Sequence, residues 1–109
     1  MSFKLEVIDN FKRQAKQLLK KFPSLRGEID TLGISLQEDL FQGAPMRDGF
    51  YKIQLAIKSK STGKRGGARV ITCVKVIAET VYLVSIYDKS EQSDIPDKEL
   101  DQLLSELPE

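Results

Sequence analysis

Phe3, Leu5 and Val7 alternate with Lys4 and Glu6, the period-two pattern of a short, half-buried strand. The period then lengthens. Phe11, Ala15, Leu18, Leu19 and Phe22 recur at helical steps and lay one apolar stripe along a helix, with Lys12, Arg13, Lys16 and Lys20 on the opposite face. Asp9 or Asn10 is placed to cap this helix. Pro23 ends it, because proline lacks an amide hydrogen and disfavours a helical residue before it. Ser24 is a natural N-cap for a second helix whose stripe is Leu25, Ile29, Leu32, Leu36 and Leu40. Gly27 and Gly33 fall inside that helix and weaken it by up to about 1 kcal/mol each relative to alanine. Two apolar stripes with so short a join predict an antiparallel helical hairpin laid on a sheet.

After a loop at 42–45 the period returns to two. Tyr51, Ile53, Leu55 and Ile57 alternate with Lys52, Gln54, Ala56 and Lys58, which predicts a strand over 51–58 with one apolar and one basic polar face. Residues 59–67 have the composition of a basic loop. Segments 68–76 and 80–87 are rich in Val and Ile, and the short break at Ala78-Glu79 suits an antiparallel hairpin. Pro96 opens a last helix, a position where proline is tolerated, and Leu100, Leu103, Leu104 and Leu107 form its stripe. The predicted order is β-α-α-β-β-β-α. This is an α+β fold with an antiparallel sheet, an N-terminal helical hairpin and a C-terminal helix. The 109 residues fit one domain, 1–109.

Composition removes several chemistries. The chain has no histidine and a single cysteine, Cys73, set among β-formers as a small core residue. Cys-His and Ser-His catalysis, the usual zinc sites and an internal disulfide are therefore excluded. The acids do not have metal-site spacing, and Asp94, Asp97, Glu99 and Asp101 lack the pattern of a calcium loop. Gly63-Lys64-Arg65-Gly66-Gly67 lacks the Gly-Lys-Ser/Thr end and following helix of a nucleotide-binding loop. No cofactor is implied. The charged N-terminus is unlike a signal peptide, and no apolar run approaches the roughly 20 residues that span a bilayer, so a cytoplasmic protein without a membrane partner is expected.

Net charge is +1, but it is divided along the chain. Residues 44–78 carry eight basic residues and one acidic, whereas 79–109 carry two basic and nine acidic. So one-sided a block points to an anionic partner such as nucleic acid. The ordinary alternative is a solvated segment neutralised by the acidic tail. Lys52 and Lys58 share the polar face of one predicted strand, Arg69 lies on the next, and Tyr87 and Lys89 end the third. Adjacent strands would bring these groups onto one face. Arginine there would clamp a phosphate, tyrosine would stack on an unpaired base, and a lysine crowded by like charge would titrate low enough to act as a general base. Arg47, Lys60, Lys64 and Arg65 are the flanking candidates for RNA contact.

Two sequence runs go further. Phe50-Tyr51-Lys52-Ile53-Gln54-Leu55 followed by Gly66-Gly67-Ala68-Arg69-Val70-Ile71 resembles the RelE superfamily of bacterial toxins. Residues 58–69 and Ile86-Tyr87-Asp88-Lys89-Ser90-Glu91 are similar to its HigB-like branch. The resemblance covers 50–95. It implies a RelE-like fold and the toxin of a type II toxin–antitoxin pair. It also implies a metal-independent endoribonuclease that cleaves mRNA on the ribosome by 2′-hydroxyl attack, and a cognate antitoxin, expected to be a helix-turn-helix protein. Carried over by position, it assigns catalysis to Lys52, Arg69 and Lys89. Gln54 stands where some members have a second lysine, and Ile95-Pro96 where some have a functional tyrosine; Lys58 and Tyr87 are the candidate substitutes. Two other readings stay open: a ParE-like toxin that poisons gyrase by binding, and a non-catalytic RNA- or ribosome-binding module.

Overall fold

The periodicities above become β1 (Lys4–Val7), α1 (Asp9–Lys21), α2 (Leu25–Glu38), β2 (Ala44–Pro45), β3 (Phe50–Leu55), β4 (Ala68–Lys75), β5 (Thr80–Asp88) and α3 (Asp97–Glu106) in a computed structural model that describes residues 3–58 and 66–108. The five strands form one sheet in the order β1-β5-β4-β3-β2. The chain starts at one edge, crosses through the α1–α2 hairpin to the other, and returns by three antiparallel steps to lie beside β1. The predicted order of elements holds, with β2 added.

The sheet is not wholly antiparallel, as the sequence reading had it. β1 pairs parallel with β5, with Leu5 opposite Val81 and Val7 opposite Leu83. A parallel pair needs a long crossover, and here the crossover is almost the whole chain. Period-two patterning marks a strand but carries no information on its direction. Strand β2 falls in the segment predicted to be a loop. It is joined to β3 by Asp48-Gly49, both at positive φ (54° and 82°), and the Phe50 N–H donates to the Arg47 carbonyl at 2.9 Å. This is the left-handed two-residue turn whose twist matches that of paired strands.

Each face of the sheet carries its own core. On one, Phe11, Ala15 and Leu18 of α1 and Leu25, Leu32 and Leu36 of α2 pack on Ile53, Leu55, Val70, Val81, Leu83 and Ile86. Helix α2 is unbroken despite its two glycines. On the other, Leu100 and Leu103 of α3 pack with Ile95 and Leu107 on Phe50, Ile71, Cys73, Tyr82 and Val84. Burying each large aliphatic side chain is worth about 1.5–3 kcal/mol relative to leaving it in water. No helix among the described residues is long and apolar enough to cross a membrane.

A β-bulge in β5 decides what the α3 face displays. Ile71 lies opposite Ser85 but Thr72 lies opposite Leu83, so Val84 is an extra residue. A regular strand would put Leu83 and Tyr87 on one face. Instead Leu83 and Ile86 join the helical-hairpin core, while Val84 and Tyr87 join the α3-side core. The extra residue inverts the alternation and turns Tyr87 to the α3 face. Helix α1 satisfies the backbone groups that the bulge frees. Asn10 Nδ2 donates to the Val84 carbonyl at 2.9 Å, and Gln14 Oε1 accepts from the Ile86 N–H at 3.0 Å and from Ser85 Oγ at 3.0 Å. Asn10 is thus not the cap expected from the sequence: Ile8 holds that position. Ser24 does precede α2, but without a side-chain capping bond.

Candidate functional site

Arg69 on β4 stands opposite Gln54 on β3 and opposite Tyr87 on β5. Directly opposed side chains share a face, with Cβ atoms about 4.5–5.5 Å apart, so the three form a polar row across the sheet. Lys52, two residues before Gln54, lies on the same face. Helix α3 covers the other half of that face, towards Phe50 and Cys73. The backbone of Lys52 is held from outside by β2, with Ala44 opposite it. Gly43 makes that approach possible: it sits at φ +94°, and a Cβ there would collide with the Lys52 carbonyl.

A carboxylate completes the cluster. Lys52 Nζ donates to Asp94 Oδ1 at 2.6 Å, and the Ile95 N–H donates to the same oxygen at 2.8 Å. The lysine side chain is 25% exposed and that of Asp94 63%. The Lys52 hydrogen bond first, then that of Ile95, holds the Asp94 carboxyl below the usual carboxylate range; burial opposes this, and the charges of Lys52 and Lys89 add to it. Tyr87 moves the other way. Burial chiefly, then the negative charge of Asp94, pushes its hydroxyl above the usual tyrosine value, with Arg69 opposing and Glu99 reinforcing. The hydroxyl is therefore a neutral proton donor. It is buried, and Asp94 is the carboxylate that acts on it, by charge and by hydrogen bonding. Arg69 is only 4% exposed and its Nη1 donates to the Ala68 carbonyl at 3.2 Å, so its guanidinium forms the floor of the row.

The sequence-predicted residues separate into groups. Lys52, Arg69 and Tyr87 come together. Lys89 is exposed just past β5, its N–H bonded to the Gly67 carbonyl at 3.0 Å, and its charge reaches Asp94. Lys58 does not share a strand face with Lys52, as expected from the alternation. The β3–β4 ladder ends at Leu55 opposite Ala68, and Lys58 lies exposed beyond it. Arg47 is paired at the surface: Nη2 with Asp101 of α3, and Nε with Asp48 Oδ2 at 3.0 Å. Lys60, Lys64 and Arg65 lie outside the described residues. Asp94 was not found as a site residue from sequence, because its tie to Lys52 spans 42 positions and no local pattern marks it. Asn10 and Gln14 were missed for the same reason. Among the described residues no group of three or more His, Cys, Asp or Glu side chains is placed to hold a metal ion.

No family model matches the chain. Solved structures carry the likeness. E. coli toxin RelE in the free state, as an arginine-to-alanine double mutant, superposes with a TM-score of 0.63 at 15% identity over 99% of this chain and 100% of that one. The crystal structure of the isolated E. coli RelE toxin gives 0.53 at 16% identity over 97% and 100%. The RelE-like fold expected from the resemblance is the fold found. At these identities the likeness establishes the fold, and activity has to be argued from the site.

Proposed function

We propose that this chain is the toxin of a toxin–antitoxin pair, of the HigB-like branch, and that it cleaves mRNA on the ribosome in the cytoplasm. The observation that carries this reading is the cross-strand row Gln54–Arg69–Tyr87 with Lys52 beside it. An RNA phosphate held by Lys52 lies over the fixed positive charge of Arg69, which stabilises the extra negative charge of a phosphorane. In the nearly buried setting of Arg69 that charge is worth more than it would be in water. The Tyr87 hydroxyl, kept neutral, supplies a proton to the departing 5′-oxygen. The attacking group is the RNA's own 2′-hydroxyl, so the protein needs to furnish only charge, a proton donor and a proton acceptor. Lys58, Lys89 and the cations Lys60, Lys64 and Arg65, the last three outside the described residues, add phosphate contacts. The partner that restrains such a toxin is a cognate antitoxin, on the family pattern a helix-turn-helix protein.

Induced expression tests this reading. Translation should stop, and primer extension should reveal new mRNA ends within codons. Arg69→Ala should lower cleavage by about 10²–10³-fold, the usual effect of removing one preorganised charge or donor, while leaving the fold intact. Halted replication with intact mRNA would instead support a gyrase-poisoning toxin, and ribosome binding without cleavage would support a non-catalytic module.

A further inference from the structure

We infer that Asp94 is the general base of this centre: its carboxylate takes the proton of the attacking 2′-hydroxyl. This rests on the ribonuclease reading above. A base needs a free lone pair. Gln54 offers only an amide, and the Lys52 ammonium has no lone pair while it donates to Asp94 at 2.6 Å. One other carboxylate near the row is committed elsewhere. Asp88 is 3% exposed and its Oδ1 accepts from the Ser90 N–H and hydroxyl at 3.0 and 2.9 Å. Glu99 belongs to α3 and meets the row through its effect on Tyr87. Asp94 is exposed, bonded to the phosphate-binding lysine and within electrostatic reach of Tyr87.

The step balances within this set. The 2′-hydroxyl proton passes to the Asp94 carboxylate as the 2′-oxygen bonds to phosphorus. The bond from phosphorus to the 5′-oxygen breaks, and that oxygen takes the Tyr87 proton. The products are a 2′,3′-cyclic phosphate and a 5′-hydroxyl; water returns the protons. Binding of RNA also strengthens the base. Lys52 is the largest cause of the depressed Asp94 carboxyl, and a phosphate that draws Lys52 away removes that restraint and brings negative charge close. The groups that act on Asp94 are Lys52 from β3, Lys89 after β5 and the Ile95 N–H; Tyr87 of β5 in turn feels Asp94, Arg69 of β4 and Glu99 of α3.

Single-turnover cleavage on ribosomes programmed with a short mRNA tests the assignment, from mildly acidic to neutral pH. Wild-type rate should rise with pH along an acid limb. Asp94→Asn should lower the rate by about 10²-fold or more and abolish that limb, with ribosome binding by pelleting unchanged and an unaltered circular dichroism spectrum. Asp94→Glu should restore part of the rate together with the limb. Asp94→Asn cleaving at the wild-type rate, or faster because Lys52 is released, would overturn the base assignment while leaving the ribonuclease reading in place. A wild-type protein that binds programmed ribosomes but yields no cyclic-phosphate ends would overturn both.

Discussion

The α3 side of the sheet has two halves built from the same strands. At one end Phe50, Ile71, Cys73 and Val84 are covered by Leu100 and Leu103 and are fully dry. At the other, Lys52, Gln54, Arg69 and Tyr87 lie two to four residues further along; Arg69 and Tyr87 are still buried there, Tyr87 within the α3-side core, while Gln54 is exposed and Lys52 half-buried. Strand spacing and twist are shared, so the contrast comes from register and from where α3 stops. The tail joins the halves electrostatically. Its Asp101 anchors Arg47 over the dry half, and its Asp94 meets Lys52 in the polar half. The charge division seen along the sequence is thus folded back on itself.

The dry half should fail by stability and the polar half by activity. Phe50→Ala should give the largest change, about 3–5 kcal/mol lost in urea unfolding, because it empties a fully buried site beneath α3. Gln14→Ala comes next and couples the halves. It leaves the Ile86 N–H without its acceptor, which costs about 1–3 kcal/mol, and it loosens the bulge that aims Tyr87, so cleavage should fall more than ribosome binding. The smallest effect is at Cys73. It is fully buried, and burial pushes its thiol above the usual value, so the native protein should not react with a thiol reagent that labels the urea-unfolded chain completely.

Much of this contrast was legible in the sequence, and what was not has physical causes. The stripe from Phe11 to Leu18, the alternation from Tyr51 to Leu55 and the leucines of α3 each record a buried face, so element type and order could be read. Lys52, Arg69 and Tyr87 were found because each sits on a strand that its own neighbours define. Strand direction was lost, since β1 looks the same parallel or antiparallel. The Asp48-Gly49 hairpin signal was present but unused, and β2 fell in the segment 42–45 read as a loop. The β5 bulge left no mark, because one extra residue in a run of Val, Leu and Ile changes facing without changing composition. By strict alternation Tyr87 would have faced α1. The pairing of Arg47 with Asp101 could not be read either, because charge along the chain does not show which acid lies beside which base.

The most direct test of the polar half as a ribonuclease centre replaces the nucleotide 5′ of the cleaved bond with its 2′-deoxy form on programmed ribosomes. Cleavage should vanish while binding persists, with the unmodified message ending in a 2′,3′-cyclic phosphate only when Tyr87 and Arg69 are intact. Cleavage of the deoxy-substituted message at an undiminished rate would contradict the account.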